Sequence, residues 1–470
     1  MTVLDRPGAN PPALPNSVAA RDQAYILHPM SDLVRHASEA PLVVERGAGV
    51  RIENDQGQKF IEGVAGLWSV SLGFSNRRLA DVAYEQLKKL PSYHLFGQKA
   101  HQPSADLAEE LIRISPMPTK KVFFANSGSE ANDSAVKLVR YYNNALGRTK
   151  KKKIISRLGG YHGITVAAGS LTGLARFHAD FDLPIEGILH TDFPHFWRNA
   201  LPNESEAAFS RRMAQDLEGL ILREGPDTVA AFIAEPVMGS GGIIVPPENY
   251  FAEIERVLRK YDVLFIADEV ITGFGRLGYM FGTQAFDLHP DLISLAKGLS
   301  SGYLPISALL ISPKIADACL DQSRKLGLFG HGFTYSGHPV CSAVALEALR
   351  IYHEVDIVSH VRSVAPVLQD GLRALSDHPL VGEVRGLGLI AGLEIVKNKA
   401  TKESFDPKAR IPLLIEERCA AHGVLLRAIA TTIAISPPLV IEKSEIEELL
   451  RALHRGLDDA YEHCLAQNLL

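Results

Sequence analysis

Between residues 75 and 340, short and continuously apolar runs alternate with amphipathic stretches, and this constrains the fold more than any other feature of the chain. The apolar runs fall at 121–124, 153–156, 229–234, 263–267, 292–295 and 306–311. Helical periodicity falls at 76–89, 104–114, 130–146, 207–224 and 247–261. A strand with one wet face alternates apolar and polar residues, whereas a strand covered on both faces stays apolar throughout. The pattern therefore predicts an α/β domain with a mostly parallel central sheet flanked by helices.

The flanks read differently. The first twenty or so residues are rich in Pro, Ala and Asn and are expected to form a loose arm. Residues 41–64 alternate apolar and polar around the turn Asn54-Asp55-Gln56-Gly57, which predicts a hairpin or meander. Beyond 340 come a helix at 339–353, a second helix, strands at 381–385 and 389–395, a helix at 411–422, a strand at 424–426 and a last helix from Ser444. A chain of 470 residues exceeds one compact core. We expect an arm and meander at 1–74, a large domain at 75–340, and a tail at 341–470 that joins the meander in a smaller α+β domain.

Composition excludes several classes. The net charge of −5 is spread along the chain, so nothing favours nucleic acid or an anionic membrane. The basic block Lys150-Lys151-Lys152-Lys153 reads as a solvated lead into a strand. Four separated cysteines, Cys319, Cys341, Cys419 and Cys464, form neither a zinc pattern nor a disulfide framework. The N-terminus lacks the basic-then-apolar layout of a signal peptide, and no segment approaches a membrane span. A cytoplasmic enzyme is expected.

Three local motifs compete. Gly273 to Gly278 fits G-x-G-x-x-G, but the residues that follow lack the helix that must open on a dinucleotide's pyrophosphate. Gly298-Leu299-Ser300-Ser301-Gly302 fits the nucleophile elbow G-x-S-x-G, but Tyr303-Leu304-Pro305 leads to another strand where the elbow needs a helix. Ser127-Gly128-Ser129 lies between a strand and a long helix. It suits either simple N-capping or an anion site built from free N–H groups and hydroxyls. Asp268 and Lys297 stand at the ends of two successive apolar strands, where ligands of open α/β sheets bind. An acid, an amine and a phosphate cradle together are the requirements of pyridoxal phosphate.

These residues lie in segments with a family likeness. GLWSVSLGF, NSGSEANDSAVKLVR, GYHG, AEPVMGSGG, FIADEVITGFGRLG, LAKGLSSGYLP, HGFTYSGHP and LLRAIATTIAISPPL follow one another through nearly the whole chain. The sequence resembles the class III pyridoxal-phosphate-dependent aminotransferases, and within them the ω-transaminases. The resemblance implies fold type I, pyridoxal 5'-phosphate as cofactor, and transfer of an amino group from a primary amine or ω-amino acid to pyruvate or another small oxo acid. In that scheme Lys297 holds the cofactor as an aldimine, then moves the substrate proton while the cofactor passes through its pyridoxamine form. Asp268 would pair with the pyridine nitrogen, Val270 pack beneath the ring and Tyr161 stack above it. Ser127, Gly128 and Ser129 would hold the phosphate, and Glu235 the cofactor's hydroxyl side or nearby groups. Thr334 would reach the phosphate of a neighbouring subunit, which implies a homodimer with shared active sites; pairing of dimers into tetramers stays open.

Trp68, Phe96 and Arg427 would select substrate, with Phe96 donated across the dimer and Arg427 clamping a carboxylate. Many relatives carry Gly-Asp after that arginine, whereas this chain has Ala430-Thr431-Thr432. Rival readings within the family are a 2-oxoglutarate-dependent ω-amino-acid or polyamine transaminase, a decarboxylase, a racemase and an aminomutase. Outside it stand a hydrolase using Ser300 and a non-catalytic nucleotide binder using the 273–278 glycines.

Overall fold

The computed structural model describes residues 14–470. Part of the expected loose arm, residues 1–13, lies outside the described residues. The remainder differs from expectation: Ser17 caps a helix at Val18–Tyr25, its side chain accepting from Ala20 N. A second short helix, Leu33–Ser38, is capped by Asp32.

The meander forms as β1 (Val44–Ala48), β2 (Arg51–Asn54) and β3 (Lys59–Glu62), all antiparallel. Asn54 Oδ1 closes the turn by accepting from the backbone of Gln56 and Gln58. The large sheet comprises β4 (Lys121–Ala125), β5 (Lys153–Arg157), β6 (Ile188–Thr191), β7 (Val229–Ala234), β8 (Leu264–Asp268), β9 (Leu292–Leu295) and β10 (Ser307–Ile311). Its order is β4-β10-β9-β8-β7-β5-β6. β10 runs antiparallel to β4 and β9, and every other pair is parallel. The sequence pattern located six of these strands. It missed β6, which has only four residues and a half-exposed centre.

Side chains of the inner strands alternate between two apolar layers. Phe232, Phe265, Ile293 and Leu310 enter one core, with the helices Glu206–Glu224, Tyr250–Lys260 and Pro339–Glu354. Ile233, Ile266, Leu292 and Leu309 enter the other, with Gly128–Ala145 and Pro313–Leu326. Both faces are dry, so the period of two is invisible in the sequence and the runs read as continuous.

The tail supplies β11 (Val381–Leu387), β12 (Ile390–Ile395), β13 (Val424–Leu425), β14 (Arg427–Ile429) and β15 (Thr432–Ile435). β13 pairs in parallel with β3 of the meander, so the two ends of the chain share one sheet. β11, β12, β15 and β14 form a third, antiparallel sheet. The β14–β15 hairpin was not expected from the sequence. Among the described residues no helix is long and apolar enough to cross a membrane.

Candidate active site

At the carboxyl ends of β4, β8 and β9 the chain encloses a cavity of about 470 Å³. Ten of the twelve residues singled out from the sequence line it: Trp68, Ser127, Gly128, Ser129, Tyr161, Glu235, Asp268, Val270, Lys297 and Arg427. Phe96 and Thr334 do not, and both are exposed. They belong to neighbouring segments, since a Cβ added at Gly332 would meet the Phe96 ring at 2.8 Å.

Asp268 is the last residue of β8 and is buried. Its Oδ2 accepts from Asn132 Nδ2 and from His162 Nδ1, each at 2.8 Å, and its Oδ1 accepts from Val270 N at 3.1 Å. Asn132 is itself held, donating to His162 O at 2.7 Å and accepting from Ser294 Oγ at 2.6 Å. Sequence reasoning assigned no role to Asn132, His162 or Ser294. The first two lay in quoted motifs, but a link between a helix, a loop and two strands has no local signature.

Lys297 follows β9 with a left-handed φ of 47°, which turns the chain off the sheet. Removal from water pushes its amine down to about 8, against the opposing pull of Asp268 and Glu235. Its Nζ stands 5.1 Å from the centroid of the Trp68 ring, and the Arg427 guanidinium stands 5.0 Å from the same ring. Glu235, whose carboxyl burial raises, accepts from Tyr161 N at 3.0 Å and Gly239 N at 2.8 Å. It therefore fixes the backbone beside the Tyr161 ring.

The 127–129 turn opens the 18-residue helix Gly128–Ala145. Ser127 does cap that helix, its Oγ accepting from Glu130 N, while Ser129 Oγ accepts from Ile164 N. Both hydroxyls keep a proton to donate into the cavity. A Cβ on Gly128 would lie 3.1 Å from both Val270 methyls, so glycine lets Val270 close against the turn.

The rival motifs dissolve. Ser300 Oγ donates to Leu304 O at 2.6 Å, and it has no histidine or carboxylate partner among the described residues. In the 273–278 loop Arg276 is fully buried and donates to Leu389 O and Pro437 O, tying the loop to the tail. The following helix has four residues, Gly282–Ala285, and is separated from the glycines.

The Aminotransferase class-III family model matches residues 33–457. The chain belongs to the class-III aminotransferases. This aminotransferase is 53% identical, over 411 residues, to a probable gamma-aminobutyrate transaminase 3, mitochondrial, of Oryza sativa subsp. indica, covering 87% of this chain and 81% of that protein. It is 50% identical to the solved omega transaminase of Pseudomonas jessenii in complex with PMP, with a TM-score of 0.94, 95% of this chain and 98% of that one covered. A thermostable omega transaminase variant engineered for asymmetric synthesis of enantiopure bulky amines matches equally well, at 50% identity and a TM-score of 0.94 over 95% of this chain and 99% of that one. The replaced Trp, Phe and Arg of that variant have the same spacing as Trp68, Phe96 and Arg427 here.

The fold is that of the type I pyridoxal-phosphate enzymes, and the aminotransferase uses pyridoxal phosphate. The cavity fits the group on its own chemistry. A helix start with two hydroxyls that keep a proton to donate suits the phosphate, a buried carboxylate fixed by three hydrogen bonds with acceptor capacity left suits a protonated ring nitrogen, and a weakly basic amine suits the aldehyde. Arg176 also lines the cavity and had no sequence assignment. Its guanidinium stacks on Phe177 at 5.0 Å, and its charge adds to the burial that depresses Arg427.

Proposed function

We propose that this aminotransferase moves an amino group from a primary amine or ω-amino acid to pyruvate or another small oxo acid. The single observation that carries the substrate class is the pair of guanidiniums, Arg427 and Arg176, in the cavity that holds Lys297. One suits the carboxylate of the oxo acid, and the second supports a donor with a carboxylate of its own. The likeness to gamma-aminobutyrate and omega transaminases supports the same reading.

Pyridoxal phosphate, when bound, supplies an electrophilic carbon and a ring that accepts the electrons of the substrate Cα–H bond. The chain supplies the rest. Asp268, held by Asn132 and His162, would keep its negative charge at the ring nitrogen. Tyr161 and Val270 would hold the two faces of the ring, and residues 127–129 would hold the phosphate. Lys297 Nζ, weakly basic in its dry surroundings, would take the substrate's Cα proton and hold it for return. Trp68 and Arg427 bound the substrate, with Arg427 fixing its carboxylate.

We infer a homodimer with shared sites. Phe96 and Thr334 are exposed and lie outside the cavity of their own chain, which supports their use by a partner. The division at 74 and 340 and a cytoplasmic location are proposed on the sequence pattern and on four free, separated cysteines.

The test is a pair of half-reactions followed by absorbance. A single amine should bleach the yellow protein, and pyruvate should restore the colour. Arg427→Leu should weaken pyruvate, and Arg176→Leu should weaken a gamma-amino acid donor while sparing a carboxylate-free amine. Recovery with 2-oxoglutarate but not pyruvate would move the acceptor assignment to the larger oxo acid.

A further inference from the structure

We propose that Asp22, His28 and His36 form a binding site for a divalent transition ion of the zinc class. Asp22 lies in the helix Val18–Tyr25, His36 in the helix Leu33–Ser38, and His28 in the connection between them. The two imidazoles stack with centroids 3.9 Å apart. Asp22 Oδ2 stands 2.8 Å from His28 Nε2 and 3.4 Å from His36 Nε2, and all three atoms lie within 4.8 Å of one another.

These approaches are not hydrogen bonds. Asp22 Oδ2 and His36 Nε2 are both shut off from solvent, and neither has a hydrogen-bond partner among the described residues. A buried carboxylate oxygen left without a hydrogen bond is costly. Two ring nitrogens and one carboxylate oxygen converging without bonding one another are arranged as ligands around a shared ion. Zinc bonds of about 2.0–2.1 Å place tetrahedral ligand atoms roughly 3.3 Å apart, close to the 2.8 and 3.4 Å that separate Asp22 Oδ2 from the two imidazole nitrogens. Imidazole ligands favour zinc over magnesium or calcium, which take oxygen sets. Three protein ligands leave the remaining position to water.

The surroundings hold the ligands in place. Gln23 Nε2 donates to His36 O at 2.6 Å and to Glu39 O at 3.0 Å, joining the two helices. Arg35, next to His36, pairs with Glu39 and with Glu417 of the helix Ile411–Ala421. Two residues beyond His28, Met30 adopts a left-handed φ of 52° and lines the catalytic cavity. An ion bound by residues 22, 28 and 36 brackets this connection on both sides. It would pin the loop that brings Met30 against the cavity, giving the enzyme a metal-dependent clamp away from its chemistry.

The experiment is equilibrium dialysis of chelator-treated holoenzyme against zinc chloride, with bound zinc measured by elemental analysis. The wild type should hold one zinc per chain more than His28→Ala, a change at a partly exposed side chain, and more than Asp22→Asn. Equal zinc in all three proteins overturns the site. Hydrogen exchange at residues 26–32 should slow on zinc addition in the wild type alone. Unchanged exchange in a wild type that has bound its extra zinc would overturn the clamp.

Discussion

At one end of the catalytic cavity Asp268 is locked by three hydrogen bonds, and Asn132 behind it is bonded in turn to a strand and a loop. At the other end the Arg427 guanidinium makes no side-chain hydrogen bond among the described residues. It rests on the Trp68 ring, whose own buried Nε1 has no hydrogen-bond partner among the described residues. The first arrangement fixes a charge beside a group that never leaves. The second keeps donors free for molecules that must enter, react and go. Rigidity thus sits with the cofactor and unspent hydrogen-bonding capacity with the substrate.

The largest effect should come from the rigid end. Lys297→Ala should lower turnover by about a thousandfold or more, since the proposed mechanism makes the amine both anchor and proton carrier. Ser300→Ala should stay within a few-fold, and steady-state rates of the two variants check the contrast. In cofactor-free protein, labelling of Lys297 by an amine-selective reagent should rise with pH and reach half its maximum near 8, because only the deprotonated amine reacts. A midpoint near the ordinary lysine value of about 10.4 would show that the cavity does not depress it.

Asn132→Ala comes next. It strips one donor from a buried carboxylate, and kcat should fall roughly 10- to 100-fold with little change in KM for pyruvate. Arg427→Leu should do the reverse, raising KM for pyruvate about tenfold or more while sparing carboxylate-free amines. If both variants changed kcat and KM alike, the two ends would not be separate devices.

The smallest effect tests how the substrate end is held. Arg427 opens β14, and the turn to β15 is Ala430-Thr431, with Ala430 at a φ of 50°. Thr431 of the turn and Thr432, which opens β15, donate to Glu394, which Arg385 and Arg198 also bind. Against the upward push of burial, these partners hold the Glu394 carboxyl down to about 2. The tip of the hairpin is therefore fastened although its arginine is free. Ala430→Gly should relieve the left-handed strain and stabilise the fold by about 1 kcal/mol, read as a higher urea midpoint.

This hairpin also shows where sequence reading stops. Lys297 and Asp268 were legible because each ends a run of buried strand residues, a position that local pattern marks. The β14–β15 turn was not, because Ala-Thr stands where hairpins usually show Asn or Gly. Asn132 and His162 were invisible as a unit, since their shared partner is set by which strand ends meet. Phe96 and Thr334 were named through family resemblance, and within one chain they stay outside the site.

The central claim is that Lys297 carries the cofactor. Borohydride reduction of the yellow holoenzyme, followed by peptide mapping, tests it most directly. A pyridoxyl group on the peptide containing Lys297, with loss of the yellow colour, is the expected result. A pyridoxyl group on any other lysine, or none at all, would contradict the account.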